Sequence, residues 1–187
     1  TPIVSPEWRA RRLALIGAGR SADFTTDMAR KVAAAAGVAA RQRYVERVGF
    51  VLRTWAPSPV DLGPLAQAVA EGLTLSEFNA GTYKTTEPAP GKTPQWTITI
   101  TSEARAALAD ASAAVERGRL LGECSNLARE LANEPGNTLT PREFARRAAD
   151  LAREGGIAVR FSTKRRSPSW AWACCSASRA AAASRRA

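Results

Sequence analysis

The sequence has 187 residues, 45% of them hydrophobic, with 27 Lys and Arg against 17 Asp and Glu and a net charge of +10. That length suits one domain, or one domain and part of another, and the composition argues for a soluble globular protein rather than a disordered one. Six of the basic residues and none of the acidic ones fall in residues 164–187, which leaves the first 163 residues at +4, so a nucleic-acid reading of the charge rests mainly on the tail. No apolar run approaches the roughly 20 residues that a membrane helix needs. The opening "TPIVSPEWRARR" has no apolar core for a signal peptide. The chain begins on Thr and its only Met is Met28, so a missing upstream segment or an unusual start codon is expected. One isolated Cys and one adjacent pair give no disulfide framework, and a reducing cytoplasm is the expected compartment.

"RLALIG" (Arg12 to Gly17) is a short apolar run closed by Gly and predicts a buried strand. "TTDMARKVAAAAGVAARQR" (Thr25 to Arg43) offers two Thr as N-caps and then an Ala-rich helix, interrupted at Gly37. "RVGFVLRTW" (Arg47 to Trp55) predicts a second strand. The stretch Ser58 to Phe78 predicts a helix with Ser58 as cap, Pro59 at the first position and Asp61 in the first turn, and Gly63-Pro64 delays its regular part by a turn. Tyr83 to Pro94 is loop, and the alternating "QWTITIT" (Gln95 to Thr101) is a strand.

From Ser102 to Asn133 the pattern is helical. Ala104, Leu108, Ala111, Val115, Gly118, Leu121, Cys124, Ala128 and Leu131 recur at spacings of three and four and are expected on one buried face. Such a helix is roughly 45 Å long, more a connector than part of a small domain. "NEPGN" (Asn133 to Asn137) breaks it. In "TPREFARRAADLAREGG", Thr140 caps, Pro141 takes the first position, Glu143 completes a capping box and Gly155-Gly156 stops the helix. "IAVRF" (Ile157 to Phe161) predicts a strand that starts a second sheet. Alternating strands and helices imply an α/β fold with a substantially parallel sheet.

Candidate chemistry is sparse. "GAGRSA" (Gly17 to Ala22) has the form of a dinucleotide fingerprint, but polar Asp23, Thr25 and Thr26 lengthen the turn and no acid ends the next strand, so a plain Gly-rich turn is favoured. The sequence contains no His, which excludes a Ser-His-Asp triad, Cys-His catalysis and any His-containing zinc site within it. Cys124 is expected as a small buried hydrophobe. Cys174-Cys175 lack a second pair at metal-ligand spacing. No carboxylate cluster suggests acid–base or metal chemistry. Arg and Trp interleave in the tail as in single-strand nucleic-acid binders, but its composition favours a disordered tail.

"NLARELANEPGNTLTPREFARRAADLAREGGIAV" (Asn126 to Val159) resembles the junction of leucyl (cytosol) aminopeptidases, where a connector helix ends in an Ala-Arg-x-Leu-x-Asn-x-Pro-Gly-Asn-like run before the first helix of the catalytic domain. Looser resemblances lie upstream, in "ALIGAG" with "FTTDMARKVAAAAG" and in "AEGLTLSEFNAGTYKT" (Ala70 to Thr85), so that the likeness covers roughly residues 12–161. It implies an α/β fold: a macro-like N-terminal accessory domain with a mixed, mainly parallel sheet flanked by helices over residues 1–101, a connector helix over 102–133, the first helix and strand of an incomplete second α/β domain over 134–163, and an aberrant, disordered tail over 164–187.

The resemblance stops at about Phe161. Trp is encoded only by TGG and Ala by GCN, so "WAWACC" (Trp170 to Cys175), read one base earlier, spells apolar-Gly-apolar-Gly-apolar-Leu. Members of the family carry a Leu-Gly-Met-Gly-Leu-Leu-like run there, which implies that the chain is frameshifted and truncated. The family releases N-terminal residues from peptides with two divalent metal ions, Mn or Zn, in a cytoplasmic homo-hexamer. Its metal and catalytic residues lie in runs like Gly-Lys-Gly...Asp-Ser-Gly-Gly and Asn-Thr-Asp-Ala-Glu-Gly-Arg, neither of which occurs in this sequence. No catalytic, cofactor-binding or metal residue is therefore assigned to any position, no cofactor is expected in this chain, and an inactive fragment is expected. The alternatives are a stand-alone macro-like module for an ADP-ribose-type ligand and a DNA-binding accessory domain. No membrane association is expected.

Overall fold

A computed structural model describes residues 7, 10–53, 61–85, 92–101 and 105–161, and divides the chain into two compact units, Thr1–Glu134 and Pro135–Ala187. In the first unit, α1 (Thr26–Gln42), β1 (Arg47–Arg53), α2 (Leu62–Leu75), β2 (Gln95–Thr101) and α3 (Arg105–Asn133) follow one another. β1 and β2 pair in parallel, with Arg47 opposite Gln95 and Arg53 opposite Thr101. Among the described residues this two-stranded parallel sheet, with helices packed on one face, is the β-structure of the unit beyond an isolated bridge at Arg12.

Side-chain alternation decides which face of the sheet is covered. Val48, Phe50 and Leu52 of β1 and Trp96, Ile98 and Ile100 of β2 turn toward the helices, whereas Gly49, Val51, Thr97 and Thr99 are exposed. α2 is apolar nearly all round, the pattern of a helix enclosed on every side. Its Leu65, Ala66, Ala68, Val69, Ala70 and Leu73 are all buried, and it packs against both α1 and α3.

The packing is close because both flanking helices present small residues to α2. α1 buries Ala29, Ala33, Gly37 and Ala40, and α3 buries Ala111, Ala114, Gly118 and Gly122. A Cβ at Gly118 would lie 2.2 Å from the Gln67 carbonyl oxygen, and one at Gly122 2.6 Å from Thr74 Cβ. Gly37 passes directly against Ser76, so the residue that interrupts the α1 pattern marks a contact and the helix runs through it.

α1 starts as its sequence predicts: Thr25 Oγ1 accepts from the Met28 N–H at 3.2 Å. α2 starts later than predicted, with Asp61 at the N-cap making no side-chain capping bond and Gly63-Pro64 inside the first turn. Ser58, Pro59 and Trp55 lie outside the described residues, as do Ser102, Ala104 and the whole of 162–187.

Three expectations need correction. Arg12 to Gly17 forms no regular strand, and Leu13, Leu15 and Ile16 are exposed. Ile157 to Phe161 likewise forms no strand and leaves Ile157, Val159 and Phe161 exposed. An apolar run becomes a strand only when a ladder accepts it, and the ladder among the described residues is that of β1 with β2. The third concerns α3: Leu121, Cys124 and Ala128 are exposed rather than buried, because the face that meets α2 is selected for small size and not for hydrophobicity. Ala111, Val115 and Gly118 do lie on the packed side, and the side chain of Leu108 is not described.

In the second unit, α4 (Pro141–Glu154) has Pro141 at its first position and Thr140 Oγ1 accepting from the Glu143 N–H at 3.3 Å. The capping box is half-made. The Glu143 carboxylate, instead of returning to Thr140, takes Arg146 at 2.7 and 2.9 Å and Arg147 at 2.8 Å. α4 ends in a Schellman motif: the Ile157 N–H donates to the Ala152 carbonyl at 2.7 Å and the Gly156 N–H to that of Arg153 at 3.2 Å, with Gly156 at φ +67°.

Candidate functional site at the end of α2

Among the described residues, the densest polar construction of the first unit surrounds the last turn of α2 and the loop that follows, within the stretch Ala70 to Thr85. A helix end leaves carbonyls without intrahelical donors, and here the neighbouring helices supply them. From α1, Arg41 Nη1 donates to the carbonyls of Ser76 at 2.6 Å and Phe78 at 3.0 Å. From α3, Asn126 Nδ2 donates to the Thr74 carbonyl at 2.7 Å, Arg129 Nη1 to that of Leu75 at 3.3 Å, and Asn133 Nδ2 to that of Ala80 at 3.3 Å. The Arg129 guanidinium also lies over the Phe78 ring, 5.5 Å from its centre.

The loop closes on itself as well. The Gly81 N–H donates to Asn79 Oδ1 at 2.9 Å, and Thr82 Oγ1 donates to the Asn79 carbonyl at 2.9 Å. Glu77 sits within this construction, and burial, reinforced by the nearby Glu123 carboxylate, pushes its carboxyl above the ordinary value. The chemistry available is structural. Guanidinium and amide donors fix carbonyls, and no nucleophile–base pair is assembled among these residues. This polar clamp ties α3 and α1 to the end of α2.

A cavity of about 400 Å3 lies on the other end of the helix layer, bordered by Arg30, Gly63, Gln67, Asp110 and Arg117. Arg30 is already committed: its Nη1 bonds Asp27 at 3.1 Å, and its Nε lies 3.0 Å from Glu71 Oε2 as an ion pair without hydrogen-bond alignment. Asp27 is held below the ordinary carboxylate range by its hydrogen bond and charge contact with Lys31, and Arg30 adds to this.

The Gly17 to Ala22 segment runs irregularly into a 3₁₀ turn at Ser21–Asp23, with Gly19 at φ +81°, and does not feed α1 directly. Cys124, expected to be buried, is exposed and free. Cys174-Cys175 and the basic tail lie outside the described residues. Among the described residues no group of three His, Cys, Asp or Glu side chains could hold a metal ion, and no helix is long and apolar enough to cross a membrane. Sequence reasoning missed Arg41, Asn126 and Arg129, since their acceptors are backbone carbonyls that leave no mark in a side-chain pattern. Asn126 alone gave a hint, as a polar residue four positions after Gly122 on the small-residue face.

The N-terminal domain of the cytosol aminopeptidase family matches residues 3–87. A probable cytosol aminopeptidase of Acidobacterium capsulatum is 34% identical over 148 residues, 79% of this chain and 28% of its own length. One of Syntrophotalea carbinolica is also 34% identical over 148 residues, 79% of this chain and 30% of its own length. Among solved structures, the bottromycin maturation enzyme BotP is similar with a TM-score of 0.55 and 28% identity over 76% of this chain and 28% of BotP; a second BotP structure, in complex with Mn, is equally similar. The chain thus spans less than a third of the length of these relatives. Residues 3–87 thus carry the N-terminal domain of the cytosol (leucyl) aminopeptidase family, and the likeness to cytosol aminopeptidases extends over 79% of the chain.

Proposed function

We propose that this chain is the accessory domain, connector helix and opening of the second domain of a metal-dependent aminopeptidase, and that the 187-residue polypeptide releases no amino acids by itself. The observation that carries the reading is the family match over residues 3–87, in a chain whose sequence holds neither of the metal-binding runs expected of the family. Two divalent ions, Mn or Zn, would activate water and polarise the peptide carbonyl in the complete enzyme, and the Mn complex of BotP is in keeping with this. The peptide substrates, cytoplasmic location and hexameric assembly belong to the same proposal. So do the domain limits 1–101, 102–133, 134–163 and 164–187, and the frameshift after about Phe161. The apolar faces exposed on α4 and at Ile157, Val159 and Phe161 fit surfaces that a complete second domain covers. The ADP-ribose and DNA-binding alternatives are not favoured by the comparisons.

Incubation of the purified chain with leucine p-nitroanilide and Mn is expected to yield no nitroaniline above a metal-free blank. Mn-dependent release that copurifies with the chain through two columns defeats the reading. The codons beyond Phe161 test the frameshift: the neighbouring frame is expected to continue into the metal-binding runs, and a prompt stop codon in it counts against the shift.

A further inference from the structure

The cavity at the start of the helix layer lies within the first unit, and α1, α2 and α3 all contribute to its walls. α2 and α3 run in the same direction, since Gly118 meets Gln67 and Gly122 meets Thr74. Asp110 therefore stands near the start of α2 and Arg117 beside Gln67. The two are seven residues apart, on one face of α3 and about 10.5 Å apart along its axis. Both charges are available to a ligand. Glu116 is engaged by Arg119 at 3.3 Å, and neither Asp110 nor Arg117 has an opposite charge as partner among the described residues. On the opposite wall Arg30 is occupied by Asp27 and Glu71. Between the two free charges the lining is Ala113 and Ala114 of α3, Ala68 of α2 and the side chain of Gln67.

We propose that this groove binds a short peptide with both termini free, its ammonium group at Asp110 and its carboxylate at Arg117. Charge complementarity and spacing select that occupant. An extended tripeptide spans roughly 10 Å, which matches the separation of the two charges, and a cavity of about 400 Å3 has room for it. The Gln67 amide both donates and accepts, as a peptide group between the two ends requires. The alanines offer an apolar floor to its side chains. A single amino acid, roughly 3.5 Å long, reaches only one of the two charges. A simple anion leaves Asp110 without a counterpart. The site is independent of any catalytic role of the complete enzyme, because none of the expected metal-binding runs contributes to it.

Amide NMR of the isotopically labelled full chain, titrated with the peptide Leu-Gly-Gly in EDTA buffer, tests this. EDTA stops metal-dependent turnover, so the outcome does not depend on whether the chain can hydrolyse peptides. Saturable shifts of the Gly63 main-chain and Gln67 side-chain amides are expected by about 10 mM peptide. Acetylating the amino end of the peptide, amidating its carboxyl end, or replacing it by leucine is each expected to weaken binding by about threefold or more, the scale of one partly exposed charge pair. Arg117→Gln is expected to abolish the preference for the free carboxyl end and keep that for the free amino end, and Asp110→Asn the reverse. Absence of saturable shifts at those amides by about 10 mM peptide, or equal binding of the free and doubly blocked tripeptides, overturns the proposal, and both are read on the unsubstituted chain. Acetate that binds as tightly as the tripeptide also overturns it, because only an anion would then be held.

Discussion

Asn126 Nδ2 on α3 donates to the Thr74 carbonyl in the last turn of α2 at 2.7 Å, linking residues 52 positions apart through one buried amide. The same carbonyl also accepts from the Glu77 N–H at 3.0 Å, so it keeps a donor when the amide is removed. Asn126→Ala is therefore expected to destabilise the first unit by about 1–2 kcal/mol rather than by the larger cost of an orphaned acceptor. Asn126→Asp is expected to cost more, because it replaces the donor with a buried charge. Urea midpoints at constant m-value measure both, and a smaller loss for Asp than for Ala contradicts the assigned bond.

Gly118→Ala separates contact from propensity. Alanine is the better helix former by roughly 1 kcal/mol, yet its Cβ would sit 2.2 Å from the Gln67 carbonyl oxygen. A net loss of about 1–3 kcal/mol is expected, as for other overpacked sites. Gly63→Ala meets nothing within 4 Å beyond its chain neighbours, and with Pro64 following it the gain in helix propensity is offset, so a shift of less than about 1 kcal/mol is expected. Thermal unfolding of the pair shows the clear loss at Gly118 alone if α2 and α3 pack as described.

The Glu143 carboxyl is held at about 2 by its hydrogen bonds to Arg146 and then Arg147, against an ordinary 4.5. Its folded value lies below its unfolded one, so its contribution to α4 is fully present above about pH 4.5 and is lost as the pH falls through 2. Carbon-detected NMR of the carboxyl is expected to show a midpoint well under 3.5. Helicity of α4 should fall over the same window in the native chain and lose that component in Glu143→Gln. A midpoint near 4.5 means that the arginines do not hold the carboxylate in solution.

Cys124 is exposed on α3. Alkylation of the native chain, with the modified residue located by peptide mapping, is expected to label Cys124 about as fast as in urea. Cys124→Ser is expected to shift stability by less than about 0.5 kcal/mol. Protection of Cys124 at low protein concentration means that its side of α3 is covered.

What the sequence made legible was local. Thr25, Thr140 and Pro141 announce helix starts because the groups they satisfy lie within one turn, and "QWTITIT" announces β2 because alternation is written in consecutive residues. The parallel sheet followed from the order of elements. What failed depends on distant partners. "RLALIG" and "IAVRF" have strand composition, but a ladder is needed to make the strand. The buried face of α3 was misplaced beyond Gly118 because large apolar residues carry the periodicity while small ones carry the contact. The clamp at the end of α2 was invisible, since Arg41, Asn126, Arg129 and Asn133 all address main-chain oxygens.

The division of labour on α3 has a practical side. Its hold on α2 depends largely on small residues, so Leu120, 59% exposed on its outer side, is spare as far as the described part of this unit is concerned. Recoding Leu120 as lysine or glutamate would give a better-behaved reagent for crystallography or binding assays while leaving the glycines and alanines that key the helix into place untouched.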